Sequence, residues 1–193
     1  MSTRAQNPPL ELALGRSADA SLSRPSVAVH AEVVLLFDEF RDRLFRYVLS
    51  LGLSVHDGED VIQEVFLSLF RHLKIGRSRE NLRGWLFQVS HNLALKQRYR
   101  RQKQQATVPN EQSRPVERID SAENPEEQLA SNQRQQRLLS AIKALPEQDR
   151  WCLSLRAEGL RYREIAQVVG ISLGAVSNSL AKSMERLMRV DEQ

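Results

Sequence analysis

No proline occurs between Ser26 and Val108, while three of the chain's seven prolines fall within residues 109–125. Proline removes a backbone donor and clashes with the preceding helical turn, so its distribution marks where long helices are permitted. Inside the proline-free tract, Val33, Leu36, Phe37, Phe40, Leu44, Val48 and Leu51 recur at helical spacing and form one apolar stripe. Gly52 ends that segment. Asp57 is expected to cap a second helix, with Asp60 favoured at its positive end. Ile62, Val65, Phe66, Leu69 and Leu73 would form its buried side. After a loop at 74–83, Leu82, Leu86, Val89 and Leu93 give a third inward face. No alternating apolar run is long enough for a sheet. The expectation is an all-α chain whose first module, 31–104, is a three-helix bundle.

Residues 107–115 are polar, aperiodic and proline-bearing, and 105–125 reads as a flexible linker. A second module, 126–189, follows Asn124-Pro125-Glu126-Glu127, an N-cap, a first-turn proline and an acid. Leu138, Leu139, Ile142 and Leu145 extend an apolar face. Pro146 starts another helix and Gly159 closes it. Residues 162–183 then have the pattern of a helix-turn-helix. Ala166 is small where two helices approach, Gly170 permits a left-handed turn, Ser172 can cap the next helix, and Val176 and Leu180 bury it. An ordinary helical hairpin would share the glycine turn. Residues 1–30 read as a mobile extension.

The longest apolar run, residues 33–37, is far short of the roughly 20 residues that span a bilayer. The N-terminus lacks the apolar core of a signal peptide, so a cytoplasmic location without membrane contact is expected. A lone cysteine, Cys152, excludes an internal disulfide and reads as a small core residue. No metal, cofactor or catalytic site is expected: there is no His/Cys cluster beside paired carboxylates and no glycine-rich phosphate loop.

Charge is segregated. Residues 31–70 hold three Arg and eight acids, whereas 71–105 hold ten Lys or Arg and one acid, Glu80. A dense cationic block is the footprint of a polyanion binder, although charge runs also serve simply to solvate helices. On the second helix, Asp60, Gln63, Glu64 and Leu67 fall opposite the buried stripe and suit a basic protein partner. On the third, Gln88, His91, Asn92, Lys96, Tyr99 and Lys103 are expected as one exposed stripe. Amide and aromatic groups upstream of cations suit unstacked bases at one end and duplex phosphates at the other. Trp85 and Phe87 fit either that surface or the core. In the C-terminal motif, Leu173, Ala175, Ser177, Asn178 and Lys182 would face base edges, with Arg161, Arg163 and Arg186 on the backbone.

Together these segments resemble the extracytoplasmic-function sigma factors of bacterial RNA polymerase, small members of the sigma-70 family. The resemblance rests on Asp60-x-x-Gln63-Glu64-x-Phe66, Trp85-Leu86-Phe87 leading to Asn92-Leu93-Ala94, Leu145-Pro146-Glu147, and Glu164-Ile165-Ala166…Gly170-Ile171-Ser172. It covers 31–104 as region 2 and 126–189 as region 4. It implies a non-enzymatic promoter-specificity subunit. Asp60, Gln63, Glu64 and Leu67 would bind the polymerase clamp coiled coil, and region 4 the flap. Arg77, Arg83, Trp85, Phe87, Gln88, His91, Asn92, Lys96, Arg98, Tyr99 and Arg100 would bind and open the −10 element. Arg161, Arg163, Ser172, Ala175, Ser177, Asn178, Lys182 and Arg186 would read the −35 element. The linker would thread toward the RNA exit path, and an anti-sigma factor is a conceivable partner. The sequence departs from the family pattern in three places: Lys182 is the only cation in Leu173–Met184, Arg161 stands where the preceding helix usually has Ser or a similar cap, and Ile75-Gly76-Arg77 carries no aromatic. A stand-alone helix-turn-helix regulator is the competing reading, and it needs neither the acidic face nor the aromatic-basic third helix.

Overall fold

The computed structural model describes residues 20–105 and 125–191, and there it contains seven α-helices and no strand. They are α1 (Ala20–Ser50), α2 (Val55–Lys74), α3 (Leu82–Gln105), α4 (Pro125–Lys143), α5 (Glu147–Ala157), α6 (Tyr162–Val169) and α7 (Leu173–Asp191). α1 begins eleven residues before the expected start of the first module, so residues 20–30 belong to a helix, and Val29 is already buried. Most of the expected linker, 106–124, lies outside the described residues, as do residues 1–19 of the expected extension.

α1, α2 and α3 pack on one another through the expected stripes. Phe40, Leu44, Val48 and Leu51 of α1 are buried, as are Ile62, Val65, Phe66, Leu69 and Leu73 of α2. Phe37 lies at the edge, 37 % exposed, with its ring edge-on to Phe66 at 4.8 Å. Gly52 takes φ +90° after α1. The cap of α2 is Ser54, not Asp57. The Ser54 hydroxyl accepts from the Asp57 amide at 3.2 Å and donates to Asp57 Oδ2 at 2.5 Å. Asp57 sits at the third helical position, where a capping acid reciprocates. The start of α3 is set by Asn81, whose Oδ1 accepts from the Gly84 amide at 3.2 Å.

In the second module, α5, α6 and α7 enclose Cys152, Leu155, Leu160, Ile165, Val168, Val176 and Leu180. Gly170 ends α6 in the left-handed conformation, φ +75°, and its amide bonds the Ala166 carbonyl at 2.9 Å. Ser172 then caps α7 through the Ala175 amide at 3.1 Å. Leu138 on α4, expected on the apolar face, is 39 % exposed.

The two modules do not stand apart. α6 packs on α3 and α5 touches α1, and the buried residues of both modules join one continuous core. The expectation of two helical modules is met, but they are docked along a shared seam.

Candidate nucleic-acid interface

α2 presents Asp60, Gln63 and Leu67 to solvent, with Leu67 51 % exposed and Glu64 half-buried. Ile62, Val65 and Phe66 anchor the opposite side of the same turns, so burial of the apolar stripe forces the acids outward. Glu64 pairs with Arg71 at 3.2 Å. Asp60, Glu64, Lys96, Gln97 and Arg100 line a groove of about 310 Å³ between α2 and α3, floored by Val61 and Leu93. One wall is anionic and the other cationic.

Along α3 the expected surface divides. Asn92, Lys96, Tyr99 and Arg100 are exposed, Tyr99 by 68 %, and Gln88 is half-buried. Arg77, in the preceding loop, is exposed. Trp85 is half-buried against the His72 ring, with centroids 4.6 Å apart. The expected stripe fails at His91, and Phe87 falls to the core reading. Phe87 is fully buried edge-on to Tyr47 at 5.5 Å, and His91 is 2 % exposed. His91 Nδ1 shares a 2.8 Å hydrogen bond with the Tyr47 hydroxyl, and the Trp151 ring of α5 meets the imidazole edge-on at 4.9 Å. The reason is docking: one side of His91 belongs to the bundle and the other is covered by the second module. Burial lowers the His91 pKa to about 4 and raises that of Tyr47, so both are neutral.

Two cations assigned to DNA are also engaged across the seam. Arg98 is bound to Glu147 and to the Leu51 carbonyl, the latter at 3.1 Å. The hydrogen bond from Arg98 holds the Glu147 carboxyl below its usual value. Arg83 lies 3.5 Å from Glu164. Arg101, within the cationic run, pairs with Asp57 at 2.6 Å. Burial pushes the Asp57 carboxyl up, but Ser54, Gln97 and Arg101 together outweigh it and leave its pKa lowered.

On the helix-turn-helix, Arg161, Arg163, Ser172, Leu173, Ser177, Asn178, Lys182 and Arg186 are exposed and Ala175 is half-buried. Val176, Ser179, Leu180 and Ser183 face inward, and the Ser179 hydroxyl donates to Asp149 at 2.5 Å. That anchor turns Ser177, Asn178 and Lys182 outward on one side of α7. Arg161 starts α6, its amide donating to Glu164 at 2.6 Å.

Sequence reasoning missed Tyr47, Arg43, Trp151 and Glu158, all of which act at the seam. Arg43 Nε binds Glu158 Oε2 at 2.8 Å and Arg43 Nη2 binds the Glu158 carbonyl at 2.6 Å. The partners are 115 residues apart, and no local pattern signals such a pair. Among the described residues, no three His, Cys, Asp or Glu are grouped to hold a metal, and no helix is long and apolar enough to cross a membrane.

Residues 36–105 match the family described as Sigma-70 region 2, and residues 135–187 match Sigma-70, region 4. The chain is 30 % identical over 155 residues to the ECF RNA polymerase sigma factor SigE of Mycolicibacterium smegmatis, covering 79 % of this chain. It spans 58 % of that relative's length. It is 28 % identical over 146 residues to the ECF RNA polymerase sigma-E factor of Escherichia coli K12, covering 68 % of this chain and 72 % of that protein. Among solved structures it resembles the sigma factor RpoE in complex with the anti-sigma factor NepR from Bartonella quintana, with a TM-score of 0.61 and 18 % identity. That likeness covers 83 % of this chain and 94 % of the other. It also resembles CnrH in complex with the cytosolic domain of CnrY, with a TM-score of 0.55 and 18 % identity over 87 % and 92 % of the two chains. At those identities the structural likeness is one of fold.

Proposed function

Because the chain belongs to the extracytoplasmic-function group of the sigma-70 family, with both region 2 and region 4, we propose that it is a promoter-specificity subunit of RNA polymerase acting in the cytoplasm. Its task is binding and strand separation, and it needs no catalytic group or cofactor of its own. The observation that carries this reading is the groove between α2 and α3, where a carboxylate wall adjoins a cationic one. Asp60, Gln63, Glu64 and Leu67 dock the clamp coiled coil of the core enzyme. Asn92, Tyr99, Lys96 and Arg100 receive the −10 element, with Arg77 and half-buried Trp85 and Gln88 at its downstream side. Stacking on exposed rings and amides favours unpaired bases, and the cations hold the flanking duplex. Phe87 and His91 support this surface from beneath in place of touching DNA.

Region 4 reads the −35 element through Ser177, Asn178 and Lys182, with Arg161, Arg163 and Arg186 on phosphates and Ser172 and Ala175 at the approach to the duplex. It also meets the polymerase flap. The modules divide at about 31–104 and 126–189, with the segment between them leading toward the RNA exit path. An anti-sigma factor is a fitting partner, since the RpoE structure described above is of a sigma factor held by one, NepR.

The test is charge reversal of the docking face, Asp60→Lys with Glu64→Lys. The double variant should retain its helical content and lose most of its affinity for purified core enzyme. Parental affinity in the same binding assay would overturn the docking role.

A further inference from the structure

The segment joining α2 to α3, residues 75–81, carries Arg77 and Arg79, and the fold engages them differently. Arg79 lies against α1: its Nε donates to Glu32 Oε1 and Oε2, each at 3.1 Å, with side-chain exposures of 51 % for Arg79 and 32 % for Glu32. Arg77 is exposed and its side chain has no partner among the described residues. Resting on the reading above, we infer that Glu32 is a positioning residue for promoter opening: through Arg79 it fixes the 75–81 loop, and with it Arg77, at the surface that receives the −10 strand.

The two ends of the loop are set by the helices it joins. The Ile75 and Arg77 amides bond the Arg71 and His72 carbonyls, both at 3.2 Å, and Gly76 turns the chain at φ +71°. At the far end Asn81, at φ +52°, caps α3 through the Gly84 amide. Ser78 and Arg79 lie between these ends, and side chains hold them. His72 Nε2 is 2.9 Å from the Ser78 carbonyl, which can only accept, so that nitrogen carries the proton. The His72 ring packs on Trp85, so the loop and Trp85 share one support. Glu32 supplies the second support, and it comes from α1.

Its placement follows from burial nearby. Val29, one turn earlier on α1, is 8 % exposed, and His30 meets Phe70 of α2 edge-on at 6.5 Å. These contacts hold residues 29–32 beside the end of α2, although they precede residue 36, where the region 2 match begins. A charged pair makes a stronger hydrogen bond than a neutral one, but an exposed pair adds little to global stability. Its consequence is where a short loop sits. A guanidinium held by a carboxylate is not offered to phosphate, which leaves Arg77 as the loop's arginine for the strand.

The experiment uses the full chain and four variants: Glu32→Gln, the charge swap Glu32→Arg with Arg79→Glu, Arg77→Ala, and Glu32→Gln with Arg77→Ala. Amide hydrogen exchange of residues 75–82 in the free chain reports loop order. Permanganate reactivity of thymines on a mapped promoter, with the holoenzyme, reports opening. Core-enzyme affinity and the unfolding midpoint are measured alongside.

Glu32→Gln should speed exchange in the loop about three- to fivefold and lower opening by a similar factor, with core-enzyme affinity and unfolding midpoint unchanged. The charge swap should return both readouts toward the parental values. Adding Glu32→Gln to Arg77→Ala should cause no further loss of opening, because the carboxylate acts through that arginine. Unchanged loop exchange in Glu32→Gln overturns the proposal, as do losses that multiply in the double variant or a swap that recovers neither readout. A rise in opening also overturns it, and assigns Arg79 to the strand with Glu32 as its competitor. Lys96→Ala with Arg100→Ala tests the underlying reading separately. If that variant loses opening while Glu32→Gln keeps it, only the positioning role falls; if that variant keeps opening, the −10 surface itself falls.

Discussion

The Tyr47 hydroxyl lies 2.8 Å from His91 Nδ1 in a site where both residues are almost completely buried. Phe87 and Trp151 close the pair off on two sides. A buried imidazole with no carboxylate among these contacts has nothing to stabilise its cation, so burial keeps it neutral. The bond couples α1 to α3 within the first module, and Trp151 extends the contact to the second. The histidine thus sits where α1, α3 and α5 meet.

This pair makes folding sensitive to mild acid. The His91 pKa falls from 6.5 to about 4 on folding, so the unfolded chain binds the extra proton between those values. Stability should therefore drop as pH falls from about 6.5 toward 4, by about 3 kcal/mol from this group. The lowered carboxyls of Asp57 and Glu147 act in the same direction, their contribution being lost as pH falls through their depressed values. Urea midpoints of the parent and His91→Gln, measured from pH 7 to pH 4, separate the two effects. The variant should lose much less over that range. Parallel curves would show that His91 is not the titrating group.

The reciprocal Ser54–Asp57 cap should be measurable by itself. Ser54→Ala removes the acceptor for the Asp57 amide and a donor to its carboxylate, and a lost cap of this kind costs about 1 kcal/mol. Asp57→Ala should cost more, because Gln97 and Arg101 also converge on that carboxylate and tie the end of α3 to the start of α2. Thermal or urea unfolding gives the ranking; equal losses for the two variants would place Asp57's importance in the cap alone.

Much of this was legible from period and punctuation. The stripes of α1 and α2 and the Gly170–Ser172 turn follow from spacing, because each depends on residues within one or two helical turns. The acidic face followed for the same reason: burying Ile62, Val65 and Phe66 leaves Asp60, Gln63 and Leu67 nowhere to go but outward. His91 could not be read this way. Its position on α3 is compatible with solvent until Trp151, sixty residues later, is laid over it. Arg98 was misleading for a related reason, since a cation in a basic run looks free until its distant partner, Glu147, is known. The cap of α2 was displaced by three residues because Ser54 and Asp57 are both competent caps, and only the reciprocal bonds distinguish their roles.

Two glycines should respond to alanine in opposite ways. A Cβ on Gly84 would stand 2.5 Å from Asn81 Nδ2, the side chain that starts α3. Gly84→Ala should dislodge that cap and lower stability by roughly 1 kcal/mol. Gly174 lies in the first turn of α7 with open space where a Cβ would go. Gly174→Ala should raise stability by up to about 1 kcal/mol through helix propensity. Unfolding midpoints that shift the same way for both would contradict this account of the α3 start.

The proposed reading of the −35 element by α7 offers the last prediction. Asn178 is exposed one turn into the outward side of α7, and an amide there can bond adenine with both of its groups. Arg186 is exposed two turns further on, and the proposed role for its guanidinium is contact with phosphate. The two should fail differently. Asn178→Ala should cost about 1–3 kcal/mol on a mapped promoter and relax preference at one base pair, leaving the salt slope unchanged. Arg186→Ala should weaken all sequences alike and reduce the slope of log affinity against log salt by about 0.9. Lys182 lies between them as the sole cation of Leu173–Met184, so its replacement tells which behaviour governs the middle of the helix. Holoenzyme binding to promoter variants across 50–200 mM salt measures both quantities. If Asn178→Ala altered the salt slope while base preference stayed intact, this side of α7 would be gripping the backbone and the sequence reader would have to lie elsewhere.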